Sequence, residues 1–283
     1  MSIKNEVVSV ITIVKNDREN IEKTMLSVLK QTYAKVEYVV KNALSDDGTN
    51  EIIERIKKNF PEKKLLHINE SDAGIYDAMN QAIKYCTGEW IIFMNSGDVF
   101  FNENILEIIF KNKEYKNYGV LYGDAIVRDE AGDAIWKANM SVIKEKMPFC
   151  HQSCLVKRTI LMDNSFKTEY KIAADYNNIL ELYLKKINFF YLEMIISIFD
   201  LSGISSVKFV ARCKEKNKII NNNGCKMLGK VERTMELLTA YIKEMLADTL
   251  PDCILIKMKK WYKHYIKRYE KYIVDNTKNS VER

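Results

Sequence analysis

The sequence predicts an α/β protein, with a mixed, mostly parallel sheet flanked by helices and a helical, basic C-terminal extension. Three observations predict it. Strand-like runs alternate with helical patterns through the first hundred residues, the order that builds parallel sheets covered on both faces. Trp90-Ile91-Ile92-Phe93-Met94 is a continuous apolar run of the kind central strands carry when both faces are buried. Asn95-Ser96-Gly97-Asp98 follows directly, putting a carboxylate at the carboxyl end of a buried strand, where open α/β sheets bind ligands.

Residues 7–14 are β-branched and read as the first strand, ending at Lys15-Asn16-Asp17. Asp17 or Asn16 can cap the next helix, whose apolar stripe is Ile21, Met25, Val28 and Leu29. Residues 38–40 are a second strand, 51–60 a helix closed by Pro61, and 65–68 a third strand. In the next helix Ile75, Met79, Ala82, Ile83 and Cys86 fall at helical spacing and form the expected buried face. Tyr76, Asp77, Asn80 and Lys84 are then left on the other side. Thr87-Gly88 stops that helix, with Gly88 expected in the left-handed conformation. A short helix over 104–110 leads to a strand over 120–124, and residues 129–133 read as a hairpin turn. Residues 149–156 read as a strand returning to the sheet's carboxyl edge. A helix opens near Asp175 and runs to Lys186.

Composition bounds the rest. The chain has 283 residues, of which 47% are hydrophobic and 29% charged, ordinary for a protein with a sizeable core. Only 10 Gly and 3 Pro leave no room for a long low-complexity linker. No apolar run approaches the roughly 18 residues that suggest a membrane span; residues 189–199 come nearest and contain Glu193. No apolar signal core opens the sequence, so a cytoplasmic protein is expected. Six cysteines without paired spacings suit a reducing compartment. Cys150-His151-x-x-Cys154 could be half a zinc site, but no second pair completes it. Residues 205–283 hold 18 Lys and Arg against 9 Asp and Glu, leaving 26 against 29 for the rest. The first part is slightly acidic and the tail basic, which argues against a nucleic-acid binder using the domain face.

SVITIVKND, GIYDAMNQAI and TGEWIIFMNSGD occur in that order, and with them residues 7–206 resemble a family 2 glycosyltransferase of GT-A, Rossmann-like fold. The resemblance implies a domain over 1–206 and an extension over 207–283. It places the donor's uracil and ribose at the carboxyl edge near Thr12, Val14 and Asn42. The family has Asp where Asn42 stands; an amide oxygen can still accept from uracil N3–H, though Asn also shapes turns. Gly74, Asp77 and Asn80 are expected to face the donor cleft, with Asn95, Ser96 and Gly97 around the ribose. The family's Asp-x-Asp or Asp-Asp is reduced here to Asp98, which the resemblance makes the ligand of a divalent metal, Mn2+ or Mg2+. Asp175 matches the general base, although the helix dipole alone also favours Asp there; Ala174 stands where the family often has Glu. His151 and Gln152 are expected against phosphate, sugar or acceptor.

The implied activity is inverting transfer from a UDP-sugar to a saccharide or lipid-linked acceptor in surface polysaccharide assembly (O antigen, capsule or lipooligosaccharide). A sugar-nucleotidyltransferase is the other enzyme reading, but the sequence lacks that family's glycine-rich amino-terminal phosphate loop. A non-catalytic nucleotide-sugar-binding protein is the third. In the tail, Leu255, Met258, Tyr262, Tyr265, Tyr269 and Tyr272 form a helical stripe, bordered by Trp261. Lys257, Lys259, Lys260, Lys263, Lys267, Arg268 and Lys271 surround it. Peripheral contact with an anionic membrane through 255–273 fits this pattern, as does packing on the catalytic domain or a helix pair in a homodimer.

Overall fold

The computed structural model describes residues 6–111, 113, 115–201, 208–225, 229–251, 253–258 and 260–261. Tyr262, Tyr265, Tyr269 and Tyr272 of the tail stripe, with Lys259, Lys263, Lys267, Arg268 and Lys271, lie outside the described residues.

Strands β1 (Val8–Val14), β2 (Val36–Asn42), β3 (Leu65–Asn69) and β4 (Trp90–Phe93) alternate with helices α1 (Ile21–Leu29), α2 (Thr49–Asn59) and α3 (Ile75–Ile83). Next come β5 (Val99–Phe100), α4 (Ile105–Phe110), β6 (Val120–Asp129) and β7 (Gly132–Trp136). The chain continues through β8 (Cys154–Lys157), α5 (Arg158–Asp163), α6 (Ala174–Leu184), β9 (Phe189–Asp200), α7 (Phe209–Asn222) and α8 (Lys230–Thr249). One sheet holds the nine strands in the order β3-β2-β1-β4-β8-β6-β9-β5, with β7 on β6. The first four are parallel, with Val14 opposite Asn42, so β1 and β2 end side by side. β8 runs antiparallel to β4 and β6, which brings its start to the edge where β4 ends. The mixed α/β sheet expected from the sequence is present.

Period-two alternation sorts the strand side chains into two cores. Trp90, Ile92 and Met94 pack with Ile21, Met25 and Leu106 on one face, while Ile91 and Phe93 pack with Met79, Ala82 and Leu180 on the other. Because both faces are covered, all of β1 and β4 is buried. Ile219 and Ile220 of α7 join the second of these cores, and α8 packs on α7 around Val210, Cys213 and Ala240. Among the described residues no helix is long and apolar enough to cross a membrane.

Three local expectations are corrected. Ile75 is exposed and Tyr76 buried, the reverse of the expected faces of α3. The cause is local: the Tyr76 ring packs on Phe166 and its hydroxyl finds Ile172 O at 2.7 Å. Gly88 is not left-handed; it is glycine because β1 passes against it. A Cβ there would stand 2.5 Å from Ser9 Oγ, 2.7 Å from Ser9 N and 2.9 Å from Val7 O. His151 and Gln152 lie not on a strand but in a 3-10 turn, His151–Ser153, that ends where β8 begins.

Candidate active site

The carboxyl edge of β1, β2 and β4 is where the chain collects its polar side chains. The turn after β4 is built by backbone constraint: Gly97 has φ +100°, in the left-handed region, and its N–H donates to Thr24 Oγ1 at 3.0 Å. Ser96 Oγ donates to Asp17 Oδ2 at 2.7 Å, tying the turn to the loop after β1. The turn lowers Asp98 into the protein, only 3% exposed, where its Oδ1 accepts the Asp200 N–H at 3.0 Å. Burial pushes the Asp98 carboxyl up to about 8, against the opposing pull of the Asp200 N–H and the Gln152 side chain. Asp200 is itself paired with Lys23 at 3.1 Å. Asn95 Oδ1, at the start of this turn, is buried with no hydrogen-bond partner among the described residues.

Hard divalent cations take oxygen ligands. A buried carboxyl that resists ionisation, next to an orphaned amide oxygen, is a donor set such a cation would satisfy. Among the described residues no three His, Cys, Asp or Glu side chains cluster as a ready-made cage, so a cation held by Asp98 would need its remaining ligands from elsewhere.

At the β1–β2 end, Thr12 is fully buried and its hydroxyl is committed to Tyr38 OH at 2.8 Å and Met94 O at 2.7 Å. Val14 is a core residue. Asn42 is buried, with Oδ1 accepting from Ser45 N and Ser45 Oγ and Nδ2 directed at Asn50. These side chains therefore shape the floor and the β2 loop. Lys41, which sequence reasoning passed over, is fully buried; its ammonium donates to Glu70 O and pairs with Asp72 Oδ2 at 3.3 Å. The signal was present: a lysine inside the apolar run VVKN needs a buried partner.

Gly74 (φ +123°) opens α3, and its N–H donates to Asp72 Oδ1 at 3.0 Å. Asp77 accepts from Ala73 N and Gln81 Nε2, both at 2.9 Å, capping the loop that precedes it. Asn80 pairs reciprocally with the Phe166 backbone, Nδ2 to O at 2.8 Å and N to Oδ1 at 2.9 Å. Asn80 thus pins the loop between α5 and α6 instead of presenting a free amide.

The second carboxylate lies across this loop. Asp175, in the first turn of α6, accepts from Tyr176 N at 2.8 Å and from Tyr76 OH at 3.1 Å, both at Oδ1. Burial, and next the Asp175 charge, push the Tyr76 phenol well up, so it stays a neutral donor. His151 stacks on Phe93 with ring centroids 5.3 Å apart and meets Phe166 edge-on at 5.8 Å. Burial lowers its basicity against the opposing pull of Asp175, which keeps the imidazole neutral at physiological pH. Gln152 accepts from Cys150 Sγ at 3.1 Å. The β4 turn, the His151 turn and the start of α6 thus meet around one edge, with a carboxylate from each end of the group.

The family model for Glycosyl transferase family 2 matches residues 9–172. A PGL/p-HBAD biosynthesis glycosyltransferase of Mycobacterium bovis is 26% identical over 153 residues, covering 53% of this chain and 59% of that protein. The Escherichia coli UDP-Glc:alpha-D-GlcNAc-diphosphoundecaprenol beta-1,3-glucosyltransferase WfgD is 32% identical over 128 residues, 42% of this chain and 49% of that one. The chain thus spans about half to three-fifths of the length of these curated relatives. Among solved structures, Staphylococcus aureus TarS 1-349 in complex with UDP superposes with a TM-score of 0.61 at 20% identity, covering 82% of this chain and 69% of that one. The mannosyltransferase PcManGT of Pyrobaculum calidifontis, in complex with GDP-Man and Mn2+, superposes at 0.65 and 17% identity, covering 95% and 83%.

Proposed function

The chain belongs to glycosyl transferase family 2 and has the GT-A fold, and from that premise we propose that it is an inverting transferase using a UDP-sugar and a divalent cation. The observation that carries the proposal is Asp98: a buried carboxyl at the end of β4, beside an unpartnered amide oxygen, on the edge where α/β sheets bind ligands. Asp98, with Asn95 as neighbour, would hold Mn2+ or Mg2+. The cation would supply charge neutralisation for the departing diphosphate. The relatives support the ligands: WfgD uses UDP-Glc, TarS is complexed with UDP, and PcManGT with GDP-Man and Mn2+.

In this reading Asp175 is the general base. Its Oδ1 is occupied by Tyr176 N–H and Tyr76 OH, and among the described residues nothing bonds Oδ2. Oδ2 takes the proton of the acceptor hydroxyl as that oxygen attacks the sugar's anomeric carbon and the bond to the diphosphate breaks. Direct displacement needs one base and no carboxylate nucleophile, so the anomeric configuration inverts. Neutral His151 and Gln152 line the floor between the two carboxylates, His151 donating to phosphate or acceptor oxygens. Gly74, Asp77 and the Asn95–Gly97 turn border the nucleoside, buried Thr12, Val14 and Asn42 support it from behind, and Asn80 holds the Phe166 loop beside it.

Residues 1–206 form the catalytic unit and 207–283 an extension. The acceptor is a saccharide, on a lipid carrier as for the diphosphoundecaprenol-linked GlcNAc of WfgD, in surface polysaccharide assembly such as lipopolysaccharide. The enzyme would work in the cytoplasm, its basic stripe over 255–273 resting on the anionic inner membrane face or pairing two chains.

The test is UDP or GDP release from a panel of UDP-sugars and GDP-mannose, with and without Mn2+. Release from at least one UDP-sugar, stimulated by the cation, is expected. No release and no binding with any donor overturns the proposal.

A further inference from the structure

We infer that Glu215, on a helix beyond the stretch the family model matches, is a positioning residue that holds the catalytic end of α6 in place. The inference rests on the reading of Asp175 as the base. Glu215 Oε1 accepts the Lys171 N–H at 2.7 Å; Oε2 accepts those of Ile172 at 2.9 Å and Ala173 at 3.0 Å. Three successive backbone donors, those of the two residues ahead of α6 and of its N-cap, thus converge on one carboxylate. From the opposite side Tyr76 OH grips Ile172 O and touches Asp175 itself. The two residues before α6 and its N-cap, Ala173, are therefore clamped between α7 and α3, and Asp175 is two residues further on.

The clamp is mounted on a fixed support. Ile219 and Ile220, one turn beyond Glu215, are buried in the core under α6. Lys218 pairs with Glu169 at 2.7 Å, Asn222 Nδ2 donates to Tyr170 OH at 3.0 Å, and Asn223 Nδ2 to Asn177 Oδ1 at 3.1 Å. α7 therefore grips the loop ahead of Asp175 and the helix behind it. A general base must sit within hydrogen-bond reach of its proton, and displacement of about 1 Å can cost a hundredfold in rate. In the sequence Glu215 is one glutamate among lysines, KEKNK, with no motif to mark it.

The test uses the full chain and the sugar nucleotide hydrolysed fastest in the panel above. Release rate, UDP affinity and amide exchange over 171–176 are measured for Glu215→Ala, Glu215→Gln, Asp175→Asn and the Glu215→Ala/Asp175→Asn double variant. Glu215→Ala is expected to cut the saturated rate at least about tenfold, leave UDP affinity within about twofold and speed exchange at 171–173. Glu215→Gln, which keeps one acceptor oxygen, should recover part of the rate. In the Asp175→Asn background, Glu215→Ala should cost little more, because it acts through the same group. Glu215→Ala at the wild-type rate, or a loss that adds in full to that of Asp175→Asn, overturns the inference. Should Glu215→Ala fail to fold, Glu215→Gln decides between the same outcomes. Asp175→Asn at the wild-type rate instead overturns the base assignment, and its amide exchange would show the clamp intact.

Discussion

Replacing Gly88 by Ala tests how closely the α3–β4 connection is fitted to the sheet. The added Cβ would lie 2.5 Å from Ser9 Oγ, and the hydroxyl cannot simply swing away. It accepts the Gly88 N–H at 2.9 Å and donates to Glu37 Oε2 at 2.6 Å. The other two close atoms, Ser9 N at 2.7 Å and Val7 O at 2.9 Å, are backbone of β1 and of the residue that leads into it. Overpacking of this kind costs about 1–3 kcal/mol, and weakening the Ser9 bond to a buried carboxylate adds about 1.5–3 kcal/mol. The expected loss is roughly 3–5 kcal/mol, a large part of a typical domain's stability. Urea unfolding should show a lower midpoint with an unchanged slope. Gly132→Ala is the control: its φ is +106° but nothing lies within 4 Å, so only backbone strain of about 1–2 kcal/mol is expected. A Gly88→Ala loss no greater than that of Gly132→Ala would refute the close-approach argument.

Further outcomes follow from the buried charges and the proposed base. Burial alone would raise the Glu37 carboxyl, yet bonds from Lys64, Ser9 and the Thr87 N–H hold it down at about 2 instead of 4.5. That stability is fully present above the unfolded value and lost as pH falls from 4.5 towards 2. Allowing for solvent at the exposed Lys64, it amounts to roughly 2 kcal/mol at neutral pH; Glu37→Gln should abolish this part of the acid dependence, and an unchanged acid melting profile would contradict it. Lys41→Met strands the Asp72 carboxylate, whose side chain is 7% exposed, without its cation. A loss of about 3–5 kcal/mol is expected in urea unfolding, and one below about 1 kcal/mol would show that the pair is not desolvated. Asp175→Asn should lower transfer at least about 10²-fold while calorimetric UDP affinity holds; a parallel fall in UDP binding would move Asp175 to the donor site.

The parts of the fold that were legible in the sequence are those where burial imposes a pattern. Trp90-Ile91-Ile92-Phe93 announced a two-face strand because both faces of β4 are covered, and Ile21, Met25, Val28 and Leu29 announced α1 because one stripe of it is buried. Ile75 and Tyr76 depart from the apolar pattern because a tyrosine with two oxygen partners and the Phe166 ring beside it outcompetes an isoleucine for burial in the first turn of α3. Gly88 was assigned a local reason when its reason is β1, 79 residues away in the case of Ser9. Apolar patterning cannot separate a strand from the 3-10 turn at His151–Ser153, since both are buried there. The contacts that fix the candidate residues (Lys41 to Asp72, Tyr76 to Asp175, Glu215 to 171–173) link distant segments and leave no sequence period.

The central claim is that a sugar nucleotide binds at the edge marked by Asp98 together with a divalent cation. It is tested most directly by titrating UDP calorimetrically into the wild-type chain and into Asp98→Asn, each with and without Mn2+. The account predicts that Mn2+ strengthens UDP binding to the wild type and has little effect on Asp98→Asn, with both proteins melting as folded chains. Absence of UDP binding by the wild type, or an equal Mn2+ effect in the two proteins, would contradict it.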